Sequence, residues 1–225
     1  MNIDYKLMEI QTEVLFNIDN LKKITGLNEP TETPAPFLFI GRTKTGNIIR
    51  FNKSFSEFEE SKILKLVDDR IDSMNLGKLI INVSKLRQIS SVWMGPAYVF
   101  PEGFNMTSNA TKITNDNKDL LLKEFPHLID DFEWRQPIYA IMQDGKAVSI
   151  CSSARKSLKG AEASVETLTR YQGNGYATRC VVAWAAEVRK LGLKPLYSTA
   201  WDNFSSQSVA KKLNLYQYGV DLHFG

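Results

Sequence analysis

Val165-Glu166-Thr167-Leu168-Thr169-Arg170-Tyr171-Gln172-Gly173-Asn174-Gly175-Tyr176-Ala177 reads as a strand, a Gly-rich turn and the opening of a helix. From Gly175 to Leu191 the apolar residues are Ala177, Cys180, Val181, Trp184, Ala185, Val188 and Leu191. Their steps of three and four predict a helix that lays one face on a sheet. A strand that turns on glycines into such a helix converges free backbone N–H groups and a positive helix end on one point. That point suits an anion such as a pyrophosphate.

Outward from this stretch the second half reads clearly. Ile138–Met142 and Lys146–Cys151 flank Asp144-Gly145, a strong hairpin signal that favours antiparallel strands. Residues 161–169 form the next predicted strand. Gly192 stops the long helix and Pro195 prevents its continuation. A strand (196–201), a short helix (205–213) and a last strand (216–224) follow.

The first half is read with less to anchor it. Leu7, Ile10, Val14, Ile18 and Leu21 share one face of a helix predicted over 5–25, ended by Gly26. Glu29–Pro36 is a Pro-rich extended connector. Strands are predicted at 37–40 and 48–51, around a turn at 44–47. The capping box Ser56-Glu57-Phe58-Glu59 opens a helix predicted to about 73. Leu79–Val83 is a strand candidate, Trp93–Pro101 an apolar core, and 119–129 a helix broken by Pro126. The whole predicts an α+β fold, a mixed and mostly antiparallel twisted sheet flanked by helices. Residues 1–130 form an N-terminal α/β portion that completes the sheet or covers a pocket. Residues 131–225 form the ligand-binding domain.

Composition bounds the function. The 225 residues, 43% hydrophobic and 24% charged, are those of an ordinary globular chain. No apolar run reaches the roughly 18–20 residues that cross a bilayer, so no membrane is expected. Two cysteines, Cys151 and Cys180, and no basic-then-apolar leader predict a reducing, cytoplasmic setting. With only His127 and His223, and no Cys/His cluster at ligand spacing, no metal is expected. A net charge of +3 is too small to argue for nucleic acid, and none is expected. Residues 151–225 carry ten basic and five acidic groups. That excess would draw a polyanionic small ligand, or merely be a solvated face.

Two motifs carry a resemblance. Gln172-Gly173-Asn174-Gly175-Tyr176-Ala177 fits Gln/Arg-x-x-Gly-x-Gly/Ala, as does Arg170-x-x-Gly173-x-Gly175; the later register places Tyr171 and Tyr176-Ala177 where an aromatic and a small residue are usual. About thirty residues on, Asn203 and Ser206 precede a helix ending Lys212-Leu213-Asn214-Leu215. Alone, Asn203 or Ser205 reads equally as a helix cap, and a Gly-x-Gly as a plain turn. Together, over residues 135–225, they resemble the GCN5-related N-acetyltransferases (GNAT). The usual ending Lys-Leu-Gly-Phe is replaced, but Asn214 can adopt the left-handed helix stop that Gly would.

The resemblance implies acetyl-CoA as cosubstrate. It implies cofactor contacts from Val165, Thr167 and Leu168 on the strand, from Gln172, Gly173, Asn174, Gly175, Tyr176, Ala177 and Thr178 around the turn, and from Asn203 and Ser206 on the pantetheine arm. The thioester would lie where strands 161–169 and 196–201 splay, its carbonyl polarised by a backbone N–H, with that of Leu168 the candidate. An amine of a small molecule or peptide would attack directly, and a base is useful because the amine must be neutral. Glu162 and Glu166, four apart on one strand face, are the catalytic candidates; solvent-facing or amine-binding roles stay open. The family's frequent acid, a Tyr seven residues after the Asn, is Ala210 here. Tyr197, Ser198 and Thr199 are weak substitutes. A covalent route through Cys151 competes with a buried, inert thiol.

Acceptor identity stays open among amino acid, polyamine, amino-sugar, peptide and protein lysine, as does oligomeric state, a homodimer included. A non-catalytic acyl-CoA-binding module and a nucleotide-phosphate-binding protein remain alternatives. The latter, as a dinucleotide binder, wants a parallel sheet.

Overall fold

The computed structural model describes residues 2–67, 74–103 and 106–225. Chain order is α1 (Ile3–Leu15), β1 (Phe16–Ile18), β2 (Ile24–Leu27), β3 (Leu38–Thr43), β4 (Gly46–Phe51), α2 (Glu57–Leu64), α3 (Leu76–Ser84), β5 (Val92–Val99), β6 (Thr111–Ile113), β7 (Ile138–Gln143), β8 (Lys146–Lys156), β9 (Gly160–Thr167), α4 (Tyr176–Lys190), β10 (Lys194–Ser198), α5 (Phe204–Lys212) and β11 (Tyr216–Phe224). The chain divides into two compact units. One takes Met1–Tyr98, Ser198–Asn203 and Gln217–Gly225, the other Val99–Tyr197 and Phe204–Tyr216.

In the first unit the strand order is β4-β3-β11-β5, and β1 pairs with β2 apart from it. A core of Leu38, Ile40, Phe51, Ile63, Leu79, Val83, Leu222 and Phe224 lies between the strands, α2 and α3. Buried beside α1 are Gln11, which donates to Asp221 at 3.0 Å, and Tyr218, which donates to Gln11 at 2.6 Å. Burial of these polar groups is affordable because each finds a partner.

In the second unit the order is β10-β9-β8-β7-β6. β6, β7, β8 and β9 are antiparallel neighbours, and β10 runs parallel to β9. Asp144 (φ 49°) and Gly145 (φ 75°) form the hairpin turn with both residues left-handed, as that two-residue connection demands. α4 covers one face. It buries Cys180, Val181, Val182, Trp184, Ala185 and Val188, each large aliphatic or aromatic group contributing about 1.5–3 kcal/mol. Trp184 Nε1 donates to Ser153 Oγ at 3.1 Å, and Tyr139 reaches Glu187 at 3.3 Å. Residues 149, 151 and 153 of β8 therefore face α4. Ile138, Ala140 and Ile150 face the other way, into a cluster with Leu121, Phe125, Leu128 and Phe132.

Both helix stops follow the sequence. Gly192 (φ 77°) ends α4, and Leu193 N–H returns to Val188 O at 3.1 Å. Asn214 (φ 48°) ends α5 in the same way, with Leu215 N–H on Ala210 O.

Four expectations are corrected. The helix predicted over 5–25 stops at Leu15, because Phe16-Asn17-Ile18 pairs with β2; Leu21, assigned to its buried face, is exposed. Leu79–Val83 is helical, not a strand. Asn75 caps its start by accepting from Lys78 N–H at 2.9 Å, and Leu79 and Val83 are buried while Ile81 is 57% exposed. A strand would have put all three on one face. Residues 119–129 hold two short 3₁₀ turns, Lys118–Leu121 and Pro126–Leu128, in place of one helix. The helix opened by Ser56 ends at Leu64; residues 68–73 of the predicted span lie outside the described residues.

Candidate active site

β9 and β10 pair for three residues only, Gly160, Ala161 and Glu162 against Lys194, Pro195 and Leu196. β9 continues to Thr167 with β8 as its partner, in register from Ala161↔Lys156 to Thr167↔Ser149. Its last five residues thus leave about 17 Å of strand edge without a β10 partner.

The phase of the β8–β9 ladder fixes which amides face that edge. Leu168 N–H donates to Val148 O at 3.0 Å. In an antiparallel pair hydrogen-bonded and open positions alternate. Glu166 and Ser164 therefore bond to β8, while the N–H groups of Val165 and Thr167 point to the open side. The expectation for Leu168 is corrected: its amide is consumed by Val148. The side chain of Thr167 is anchored on the α4 side by Ser149 Oγ at 2.7 Å.

After β9 a 3₁₀ turn (Thr169–Tyr171) leads into the glycines. Gly173 (φ 80°) and Gly175 (φ 74°) are both left-handed, which glycine adopts without strain. A Cβ at either would meet nothing within 4 Å, so the space above the turn is open. Asn174 Nδ2 braces the turn by donating to Tyr171 O at 3.1 Å and Gln172 O at 3.2 Å, and Gln172 Nε2 reaches back to Thr167 O at 3.4 Å. Gly175 occupies the N-cap of α4 with no side chain to cap it. The first amide bond of the helix is Arg179 N–H to Gly175 O at 3.2 Å. The N–H groups of Gly175, Tyr176, Ala177 and Thr178 precede it and have no intrahelical acceptor. They coincide with the later of the two motif registers. Arg179 lies over the Tyr176 ring at 5.3 Å, its charge beside the same helix end.

Glu162 and Glu166 share the β9 face opposite α4. Glu162 is buried, at the last residue paired with β10. Glu166 is half exposed and pairs with His127 Nε2 at 2.9 Å. Near the end of β10, Tyr197 is buried and its hydroxyl lies 2.6 Å from Ser206 Oγ, so Ser206 meets Tyr197 directly. Asn203 is exposed, its N–H on Ala200 O at 3.1 Å. Ala210 is buried. Both thiols are fully buried, and burial pushes Cys151 well above its ordinary range and Cys180 up to about 11, away from the thiolate that an acyl acceptor needs.

The sequence model described as GNAT acetyltransferase matches residues 106–219, half of the chain. The chain belongs to the GNAT acetyltransferase family. Solved structures agree on the fold. A GCN5-related N-acetyltransferase from Kribbella flavida matches with TM-score 0.52 at 13% identity, over 100% of this chain and 96% of that one. A GCN5-related N-acetyltransferase-like protein from Streptococcus suis matches with TM-score 0.50 at 18% identity, over 86% and 85%. A GNAT-family acetyltransferase from Novosphingobium aromaticivorans matches with TM-score 0.51 at 15% identity, over 61% of this chain and 65% of that one, just under two thirds of its length. No curated protein matches.

For this GNAT chain the sequence reading gave no role to one residue that the structure sets against the candidate base Glu166. His127 sits in Phe125-Pro126-His127-Leu128, where a Pro sets a tight turn between two apolar anchors. That pattern announces an outward-held side chain. It does not announce the partner, Glu166, which lies thirty-nine positions away.

Proposed function

We propose that this acetyltransferase moves an acetyl group from acetyl-CoA to a primary amine of a small molecule or peptide, by direct attack within one ternary complex. The observation that carries the reading is the continuity of two anchor points on one segment. The open edge of β9 leads, through Thr169–Tyr171, into the orphan amides of Gly175–Thr178.

The residues present fit the cosubstrate. The amides at the start of α4, with Gly173 and Gly175 holding the turn, would grip the pyrophosphate; Gln172 and Asn174 keep the turn in shape. The Val165 and Thr167 amides would take the amide groups of the arm and the thioester carbonyl, as a sheet edge takes an added strand. Asn203 and Ser206 would contact the arm further along. Bound there, the thioester would supply an activated acyl carbon and a thiolate leaving group. The chain's own task is to align it with the amine, exclude water from the gap and take a proton. Glu162 and Glu166 stand on the strand that does the aligning.

Melting the protein with acetyl-CoA, CoA, NAD and ATP separates the readings. A ligand at a hundredfold excess over its Kd stabilises by about 2.7 kcal/mol. We expect acetyl-CoA and CoA to raise the Tm, and an amine panel to release free thiol. No shift with acetyl-CoA removes the proposal. A shift without thiol release from any amine points to a binding module, an outcome that Ala210, with no hydroxyl at the usual acid position, would explain. A shift with ATP or NAD alone points to a nucleotide site.

A further inference from the structure

We propose that His127, oriented by Glu166, is the base that takes the proton from the acceptor amine, an inference that rests on the transferase reading above. Three observations carry it. First, His127 is fixed although exposed. The turn Pro126–Leu128 closes with Leu128 N–H on Phe125 O (3.1 Å) and Ile129 N–H on Pro126 O (3.0 Å), and the flanking Phe125 and Leu128 are both buried. These two side chains enter the same cluster as Ile150, and Ile150 is the cross-strand partner of Glu166. The core beneath therefore sets both members of the pair.

Second, the contact leaves one ring nitrogen for chemistry. A carboxylate only accepts, so with Glu166 ionised the Nε2 of His127 carries the hydrogen and Nδ1 keeps its lone pair. This is the base-and-orienter arrangement by which a carboxylate holds an imidazole in one tautomer and stabilises its protonated form. Third, Glu166 belongs to the stretch of β9 that has lost β10, between the two open amides of Val165 and Thr167. Glu162, the rival base, is buried at the paired end about 13 Å back along the strand.

The proton balance is direct. Nδ1 takes one proton from the ammonium form of the acceptor. The C–N bond forms as the C–S bond breaks, the thiolate takes the second amine proton, and the half-exposed His127 returns its own to solvent. The charges on the neighbouring elements are Glu166 on β9, Glu124 before the turn, Lys146 on β8 and Arg170 after β9. The two cations each lie 3.8 Å from Glu124 Oε1. A plain surface ion pair would contribute little to stability and nothing to turnover.

The test compares His127→Gln, Glu166→Gln and Glu162→Gln with the intact enzyme, once an accepted amine is in hand. We expect H127Q to keep its Tm and its affinity for acetyl-CoA, lose on the order of 100-fold in kcat, and lose the acid limb of the kcat/KM pH profile. E166Q should keep the limb and lose less in kcat than H127Q, because the imidazole remains but is no longer held in one tautomer. A merely structural His127 would leave the limb in place when replaced. An active wild type with unchanged kcat in H127Q, or an acid limb that vanishes in E162Q and persists in H127Q, overturns this inference and leaves the transferase reading standing. An intact enzyme that transfers to no amine sinks that reading, and this one with it.

Discussion

The two ends of β9 belong to one strand and are paired in different ways. At its start Gly160, Ala161 and Glu162 are buried between strands on both sides. At its end Val165, Glu166 and Thr167 are half-buried and have β8 alone. An unpaired sheet edge invites association with other strands, so proteins keep such edges short or covered. Here the open edge spans only a few residues and runs into a helix start whose first amides also lack intrahelical acceptors. The lesson is that one strand can be sealed into the sheet at one end and leave backbone donors available at the other, where the proposed ligand would add.

The sharpest way to break this contrast is at the open end. Gly175→Glu puts bulk and negative charge where the diphosphate would sit. Its Cβ meets nothing within 4 Å, so no clash opposes it, although the left-handed φ of 74° strains any side chain there. We expect acetyl-CoA to bind at least 100-fold more weakly, about 2.8 kcal/mol at 1.4 kcal/mol per tenfold. Gly175→Ala separates backbone from charge: the left-handed φ of 74° costs stability by about 1–3 kcal/mol, and binding by the folded fraction should survive far better. Calorimetric titration of the two reads the difference. Full affinity in a folded G175E removes the anion site from this turn.

The sealed end should answer in the opposite currency. Ala161 is fully buried, in register with Lys156 on one side and Pro195 on the other. Ala161→Leu overpacks that space and should destabilise by about 1–3 kcal/mol, seen as a lower midpoint in denaturant, with Kd for acetyl-CoA unchanged in the folded protein. If A161L instead weakens binding at full stability, the paired end is part of the ligand site and the division of β9 is wrong.

How much of this could be read from sequence follows from where the signal is local. The Asp144-Gly145 turn, the α4 stripe and the stops at Gly192 and Asn214 are written within a few residues of where they act, and the structure follows them. Leu79–Val83 misled because a run of branched apolar residues suits a strand as well as a helix. The decision came from the Asn75 cap and from the exposure of Ile81. β3 was legible as a strand, but its partner β11 lies nearly two hundred residues away, and no local pattern names it. The site divides in the same way. The glycines could be placed in advance, because positive φ is a local demand. The amide phase on β9 could not, because it is set by one bond to Val148; nor could the His127–Glu166 pair, which depends on how two distant segments pack.

That amide phase gives the finest test of the contrast. A backbone N–H held in a ladder exchanges with solvent only when the structure opens, whereas one at an open edge is limited by local access. With Leu168 bonded to Val148, the alternation leaves Val165 and Thr167 facing the gap and Ser164 and Glu166 facing β8. Residue-resolved hydrogen exchange should show Val165 and Thr167 exchanging faster than their even-numbered neighbours in the free protein. Acetyl-CoA should slow these two by about tenfold or more, equivalent to about 1.4 kcal/mol of protection, and leave Ser164 and Glu166 nearly unchanged. Equal protection of all four in the free protein would mean that the edge is already filled by the chain itself. Slowing at Gly175–Thr178 without slowing at Val165 and Thr167 would mean that the diphosphate is held while the arm runs elsewhere, and the thioester would then have to be placed away from β9.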